Sequence, residues 1–534
     1  MKHINKIFSL LLALVMVLSL TTTAFAANIT IDDEDVVTGA EYSAYKLLNA
    51  TDGGNGKFAY TVNATYRAVL QTVVLAALDK ETVTDDEIVA YIAGLNKEGI
   101  RDFADAVFEL VKGTKADYEA KENVFEDVAQ GYYLIVETKN GSVTGYEKDT
   151  YSLVMLDTAG NEDITVKTKE ELPESEKKIK DKNDSTGDVT NWQDSADYDI
   201  GDDVPFQITF TLPADFANYE TYYVGVHDKQ DEDLTFNEES LTVTVNGDED
   251  KDLTGDFDYS AAATDGCTFH IICADIIAAA KAKNITLAAG DKIVFNYTAE
   301  LGEGAELGKT GNPNEMRVEF SNNPYGDGTS KTPWDKVIVF TYKVNVDKVH
   351  KTGENEDKTP IFSALTGAGF TLYKEVATKT DDAKTGAEIK ATLDPIVKAD
   401  ALADGKYYIV VAQEAAAADG ATFGFKGVDD GNYVLVETKV PDGYNAWKSV
   451  AFTISATHDK ESDDPQLTEL KGGDLVTGEF KDSGIITTEI ENKSGLELPS
   501  TGGIGTTIFY IVGGLLTVGA VVLLVTKKRM GADA

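Results

Sequence analysis

The chain has 534 residues, 91 of them acidic and 48 basic, for a net charge of −43. That balance excludes nucleic acid as a partner, because phosphate binding needs clustered cations; it suits a soluble, self-repelling protein at a crowded surface. The two cysteines, Cys267 and Cys273, argue against a disulfide scaffold. In one extended strand they stand about 20 Å apart at roughly 3.3 Å per residue, and a bridge needs Cα atoms within about 7 Å. Two buried free thiols are expected, with a bridge across a strand-to-turn break as the alternative.

Lys2 and Lys6 precede an apolar run from Ile7 to Leu20, and Ala24-Phe25-Ala26 is a small-residue cleavage pattern. Residues 1–26 therefore read as a secretory signal peptide. About 470 residues follow before the C-terminal tail, enough for three domains at a prior of about 150 residues each. Residues 27–171 are mixed α and β. Strand-like stretches at Glu41 to Leu48 and Gly131 to Thr138 flank apolar positions at helical spacing through Val69 to Leu78, Ile88 to Leu95 and Phe103 to Val111. Residues 172–346 read as β, with period-two alternation in Val204 to Leu212 and Leu241 to Val245, turn clusters such as Asn246-Gly247-Asp248, and one short helix from Ala274 to Ala282. Residues 347–494 are again β, from Gly367 to Tyr373 early to Ile485 to Ile490 late. Short strands with spaced turns predict tandem immunoglobulin-like sandwiches, so the fold class is mainly β with a mixed α+β first domain. Residues 495–534 hold Leu498-Pro499-Ser500-Thr501-Gly502, an apolar run from Ile504 to Val525, and Lys527-Lys528-Arg529. About twenty apolar residues can cross a hydrocarbon core as one helix. The cations behind them stay cytoplasmic, and Pro499 holds Leu498 extended just outside the membrane.

One phrase occurs twice. Gly131-Tyr-Tyr-Leu-Ile-Val-Glu137-Thr138 and Gly431-Asn-Tyr-Val-Leu-Val-Glu437-Thr438 match at five of eight positions. Alternation puts Glu437 on one face with Tyr433 and Leu435, and an unpaired charge is costly to bury there. Two further polar residues share apolar faces: Lys348 with Phe340, Tyr342, Val344 and Val346, and Asn492 with Ile486, Thr488 and Ile490. All three could be edge residues reaching solvent. Buried together, they carry chemistry. Desolvation favours the neutral amine of lysine, a nucleophile, and a protonated acid beside it can polarise the Asn492 carbonyl and move protons. The product is a Lys-Asn amide, with loss of ammonia. No comparable pair accompanies Glu137, and no bond is expected there.

The phrase from Tyr433 to Thr438, continuing to Pro441 and Tyr444, resembles the E-box of isopeptide-forming backbone pilins with Cna B-type domains. Lys348-Val349 and Asn492 match the reactive positions of that family; His350 stands where the family often has Asp, which touches no reactive position. The pentapeptide, apolar run and basic end resemble the LPXTG sorting signal of Gram-positive sortase substrates. The resemblance implies a second site in the middle domain, with Asp228 as the acid, Lys177 as the amine (Lys178 the alternative) and Asn314 as the amide (Asn322 the alternative). It also implies an acceptor lysine for polymerisation near the end of the first domain. There is no Tyr-Pro-Lys; Lys167 is the best positional match and Lys169 the next. Thr501 would supply the acyl group, and Gly502 would head the discarded segment.

The implied function is the shaft subunit of a sortase-assembled covalent pilus, exported, held briefly at the membrane and then anchored to peptidoglycan. Its partners would be sortase transpeptidases, further copies of itself, peptidoglycan, minor pilins, and host or glycan ligands. The alternative is a monomeric wall-anchored adhesin. Enzyme function is not expected beyond a single self-cross-linking turnover. The five histidines are scattered with no ligand pair at helical spacing, so no metal and no cofactor are expected, and no phosphate loop or nucleophile elbow appears.

Overall fold

A computed structural model describes residues 26–495, apart from 33–35, 140–141, 144, 149–152, 161–162, 168–171, 262–264, 325–327 and 414–419. Three β-rich units follow one another along the chain. In the first, Ala26–Asp32 pairs parallel with Asp163–Lys167 and antiparallel with Val124–Ala129. A second sheet runs Phe58–Val62, Glu41–Asp52, Gly131–Lys139, Leu153–Asp157. Helices Arg67–Leu78, Asp85–Ala93 and Lys97–Val111 bury Leu70, Val74, Ile88 and Val107 against its Leu47 and Leu134. The helical spacing read from the sequence thus marks three real helices. The second starts where Thr84 and Glu87 close a reciprocal capping box.

The middle unit is a sandwich. One sheet runs Glu174–Ile179, Asp203–Thr211, Lys292–Leu301, Leu234–Val245, Asp248–Asp252, and the other Ser195–Asp197, Asp335–Phe340, Asn312–Ser321, Val224–Gln230, Phe269–Cys273, Asp258–Ser260. Strand Asp203–Thr211 alternates perfectly: Val204, Phe206, Ile208 and Phe210 face the core and are fully buried. Cys267 and Cys273 are buried and unbonded.

In the third unit, Tyr342–Glu354 pairs antiparallel with Thr422–Val428 and Pro360–Ala364, and parallel with Ile485–Glu491. The facing sheet runs Lys384–Thr385, Tyr407–Val410, Gly369–Val376, Gly431–Lys439, Val450–His458, Leu467–Lys471. One detail departs from the sequence expectation. Phe340 ends a strand of the middle unit, while Tyr342 opens the strand that carries Lys348. The changeover therefore falls at Thr341, inside the run from Phe340 to Lys348 that alternation reads as one continuous strand. Hydrophobic period alone cannot reveal that a chain leaves one sheet and enters the next.

The middle and last units are joined closely. Gly308, at φ +71°, lies against Gly484, where a Cβ on either would fall 2.5 Å or less from the other's backbone nitrogen, and the Lys309 N–H donates to the Lys481 carbonyl at 2.9 Å. Deeper in the joint, the fully buried Lys374 Nζ lies 2.9 Å from Asp184, 2.6 Å from Asp199 and 2.8 Å from Asp429. Burial alone would pull the ammonium pKa down, but the Asp199, Asp429 and Asp184 carboxylates outweigh it and hold it well above the usual lysine range. Removing one partner of such a cluster strands the rest. Lys374→Met is expected to cost about 3–5 kcal/mol in denaturant unfolding; a loss below about 1 kcal/mol would mean that the cluster is hydrated and weak.

Candidate functional site

Two clusters lie between the sheets, one in each of the last two units, and each is assembled from three strands. In the third unit the parallel register sets Lys348 opposite Ile490, and the Asn492 N–H donates to the Val349 carbonyl at 3.0 Å. This brings the Asn492 side chain back over Lys348. Glu437 arrives from the facing sheet, on the strand whose Tyr433 and Leu435 fill the same core. All three residues are 1–2 % exposed. Lys348 Nζ donates to Asn492 Oδ1 at 2.7 Å and lies 3.1 Å from Glu437 Oε1. Asn492 Nδ2 donates to the same Oε1 at 2.7 Å, and the Trp447 N–H holds Oε2 at 2.7 Å. Nζ also sits 5.2 Å from the Phe370 ring centre. Burial lowers the Lys348 pKa, against the opposing pull of Glu437, and so moves the amine toward its nucleophilic form.

In the middle unit Lys177, Asp228 and Asn314 are completely buried. Lys177 comes from the first strand, while Asp228 and Asn314 lie on paired strands of the other sheet. Lys177 Nζ donates to Asp228 Oδ2 at 2.6 Å, to Asn314 Oδ1 at 2.5 Å and to the Tyr297 hydroxyl at 2.8 Å. The Tyr297 hydroxyl donates to the same Asp228 Oδ2 at 2.8 Å and accepts from Asn314 Nδ2 at 3.0 Å. Asp228 Oδ1 has no hydrogen-bond partner, which a carboxylate could not sustain cheaply in so dry a site. Burial lowers the Lys177 pKa and raises that of Asp228, so both shifts point toward the neutral pair.

The alternatives go elsewhere. Lys178 faces outward and binds Asp194 at 2.6 Å, and Asn322 sits beyond its strand, with its N–H on the Gly328 carbonyl. Glu137 is buried, opposite Tyr42 in the neighbouring strand. Lys167 closes the strand Asp163–Lys167. The signal peptide up to residue 25, Lys169, and the segment from Leu498 to Gly502 with the apolar run behind it lie outside the described residues. Among the described residues no helix is long and apolar enough to cross a membrane. Tyr297 escapes a sequence reading because a tyrosine alternating with Phe295 and Ile293 looks like ordinary core; the only hint is its polar tip, which must find a partner when buried.

Residues 347–466 match the family described as a prealbumin-like fold domain, and residues 490–530 match the LPXTG cell wall anchor motif. The chain is 24% identical over 522 residues to the trypsin-resistant surface T6 protein of Streptococcus pyogenes serotype M6, covering 84% of this chain and 86% of that one. The chain thus resembles a streptococcal surface protein over most of its length and carries a cell wall anchor motif. Among solved structures, the T6 backbone pilin of Streptococcus pyogenes matches with 17% identity over 89% of this chain and 100% of that one, at a TM-score of 0.47. The full-length major pilin SpaD of Corynebacterium diphtheriae matches with 18% identity over 88% and 98%, at 0.45. The anchor motif implies a sortase and peptidoglycan as partners.

Proposed function

We propose that the chain is the shaft subunit of a covalent pilus, each subunit carrying two self-made Lys-Asn cross-links. The observation that supports this best is the pair of dry clusters, each holding an amine, an amide and a carboxyl group in mutual contact. In the third unit the neutral Nζ of Lys348 attacks Cγ of Asn492, and the Nζ–Cγ bond forms. A proton from Nζ passes to Glu437 Oε1, which touches both nitrogens, and on to Nδ2. The Cγ–Nδ2 bond then breaks and ammonia leaves. In the middle unit the neutral Nζ of Lys177 attacks Cγ of Asn314; the protonated Asp228 passes its proton through the Tyr297 hydroxyl to Nδ2 and takes one from Nζ in its place, and the Cγ–Nδ2 bond breaks with loss of ammonia. Each site turns over once, and the protein is otherwise no enzyme.

Assembly between subunits uses the tail. Sortase cuts between Thr501 and Gly502, and Lys167 of a neighbouring copy accepts the acyl group at Thr501. The last subunit passes to peptidoglycan; minor pilins and host or glycan ligands complete the set of partners. Wall extracts on a denaturing gel are expected to show a high-mass ladder that Lys167→Ala collapses to monomer. A ladder lost with Lys169→Ala instead moves the joint by two residues. A single wall-linked monomer in cells with the cognate sortase overturns the shaft in favour of a monomeric adhesin.

A further inference from the structure

The outer face of the middle unit carries a second constellation, which cross-linking does not use. His227 follows the core with its backbone but turns its ring outward, away from the neighbouring Asp228. It stands opposite His270 in the adjacent strand, with ring centres 4.3 Å apart. Gly266, at φ +86°, turns the chain so that Asp265 and Cys267 reach the same point. One ligand atom from each of His227, Asp265, Cys267 and His270 lies within 4.8 Å of all the others. The two oxygens of Asp265 face one ring nitrogen each: Oδ2 lies 2.8 Å from His227 Nδ1, and Oδ1 lies 3.2 Å from His270 Nε2.

We propose that these four side chains bind one divalent zinc-class ion. Without an ion, Asp265 gathers all three neighbours, the two imidazoles and the hydrogen-bonded Cys267 thiol; what points beyond that network is that one ligand atom from each of the four side chains converges on one point. Two imidazoles, a thiol and a carboxylate form a borderline-soft tetrahedral donor set. Ligand atoms around such an ion sit about 3.3–3.7 Å apart given bonds of about 2.0–2.3 Å, so the four close on it by rotamer adjustments of about 1 Å or less. A second shell stands ready. His227 Nε2 lies 2.8 Å from Glu319 Oε2, and Glu319 Oε1 is held by Thr329 Oγ1 at 2.6 Å. This is the carboxylate that fixes a ligating histidine's tautomer and leaves Nδ1 free for metal. There is also an entry path: the Asp265 side chain is 28 % exposed, against 6 % for His227. Binding releases the Cys267 proton and ties Val224–Gln230 to Phe269–Cys273 and, through Glu319, to Asn312–Ser321. Two of these strands carry Asp228 and Asn314.

The test uses the full chain in detergent, stripped of metal. Zinc chloride is expected to bind with one tight equivalent and to raise the melting temperature of the middle unit. Cobalt(II) is expected to give a thiolate-to-cobalt charge-transfer band. Cys267→Ser, nearly isosteric, should abolish that band and weaken zinc at least tenfold; Glu319→Ala should weaken zinc by about tenfold. His270→Gln, with its fold checked by circular dichroism, should lose the melting shift. The proposal is overturned if cobalt gives no thiolate band in the unmodified chain. A melting shift that survives in Cys267→Ser and His270→Gln alike overturns it too, since zinc would then be binding only to the acidic surface. Neither readout depends on cross-linking or polymer assembly.

Discussion

Glu437→Gln is expected to fall one ammonia mass short of its own sequence mass, where the unmodified protein should fall two short. The glutamine keeps the volume between the sheets but cannot shuttle the proton from Lys348 to Asn492. Loss of the bond reopens a loop that joins residues 144 apart. The chain-entropy relation puts a cross-link of that span at about 5 kcal/mol, so the third unit should melt well below the middle one. Lys348→Ala should show the same single-ammonia deficit against its own sequence mass. An unmodified protein at its full sequence mass would sink both cross-links at once; an unchanged deficit in Glu437→Gln would sink only the role of the acid.

Tyr297→Phe should separate the two sites. Its hydroxyl is the group that touches Asp228, Lys177 and Asn314 together, whereas Glu437 spans the two reacting nitrogens of its own site unaided. In freshly synthesised chains the middle bond is therefore expected to form about 10²–10⁴-fold more slowly, the usual worth of a placed proton carrier, with the third-unit bond on its normal schedule. Asp228→Ala should prevent the middle bond altogether and reopen a loop joining residues 137 apart, again worth about 5 kcal/mol. Equal rates in Tyr297→Phe and the unmodified chain would reduce the tyrosine to a packing role.

What could be read in advance depended on whether the signal was local. Period-two alternation is a property of one strand, so it set Lys348, Glu437 and Asn492 on apolar faces, where the structure buries them. Helical spacing through Val69 to Leu78, Ile88 to Leu95 and Phe103 to Val111 overlapped the observed helices Arg67–Leu78, Asp85–Ala93 and Lys97–Val111 for the same reason. What failed was pairing between strands. His227 and His270 are 43 positions apart in sequence but opposite each other across two strands, so a search at helical spacing passed over them. The nearer clue was Asp265-Gly266-Cys267 just ahead of His270. Nothing local marks Lys374, because its three carboxylates come from both sides of a joint that the sequence does not announce. The handover at Thr341 was hidden in the same way.

The parallel pairing of Tyr342–Glu354 with Ile485–Glu491 also decides how the third unit meets a mechanical pull. Its first strand is fed from the middle unit and its last strand leads toward the tail, so tension along a fibre drags these neighbours in opposite directions along their length. Their ladder is loaded in shear, with its hydrogen bonds sharing the load, rather than unzipped from one end. The proposed bond between Nζ of Lys348 and Cγ of Asn492 would let the load bypass the 144-residue span between them, so that the sandwich enclosed by that span would be shielded from tension.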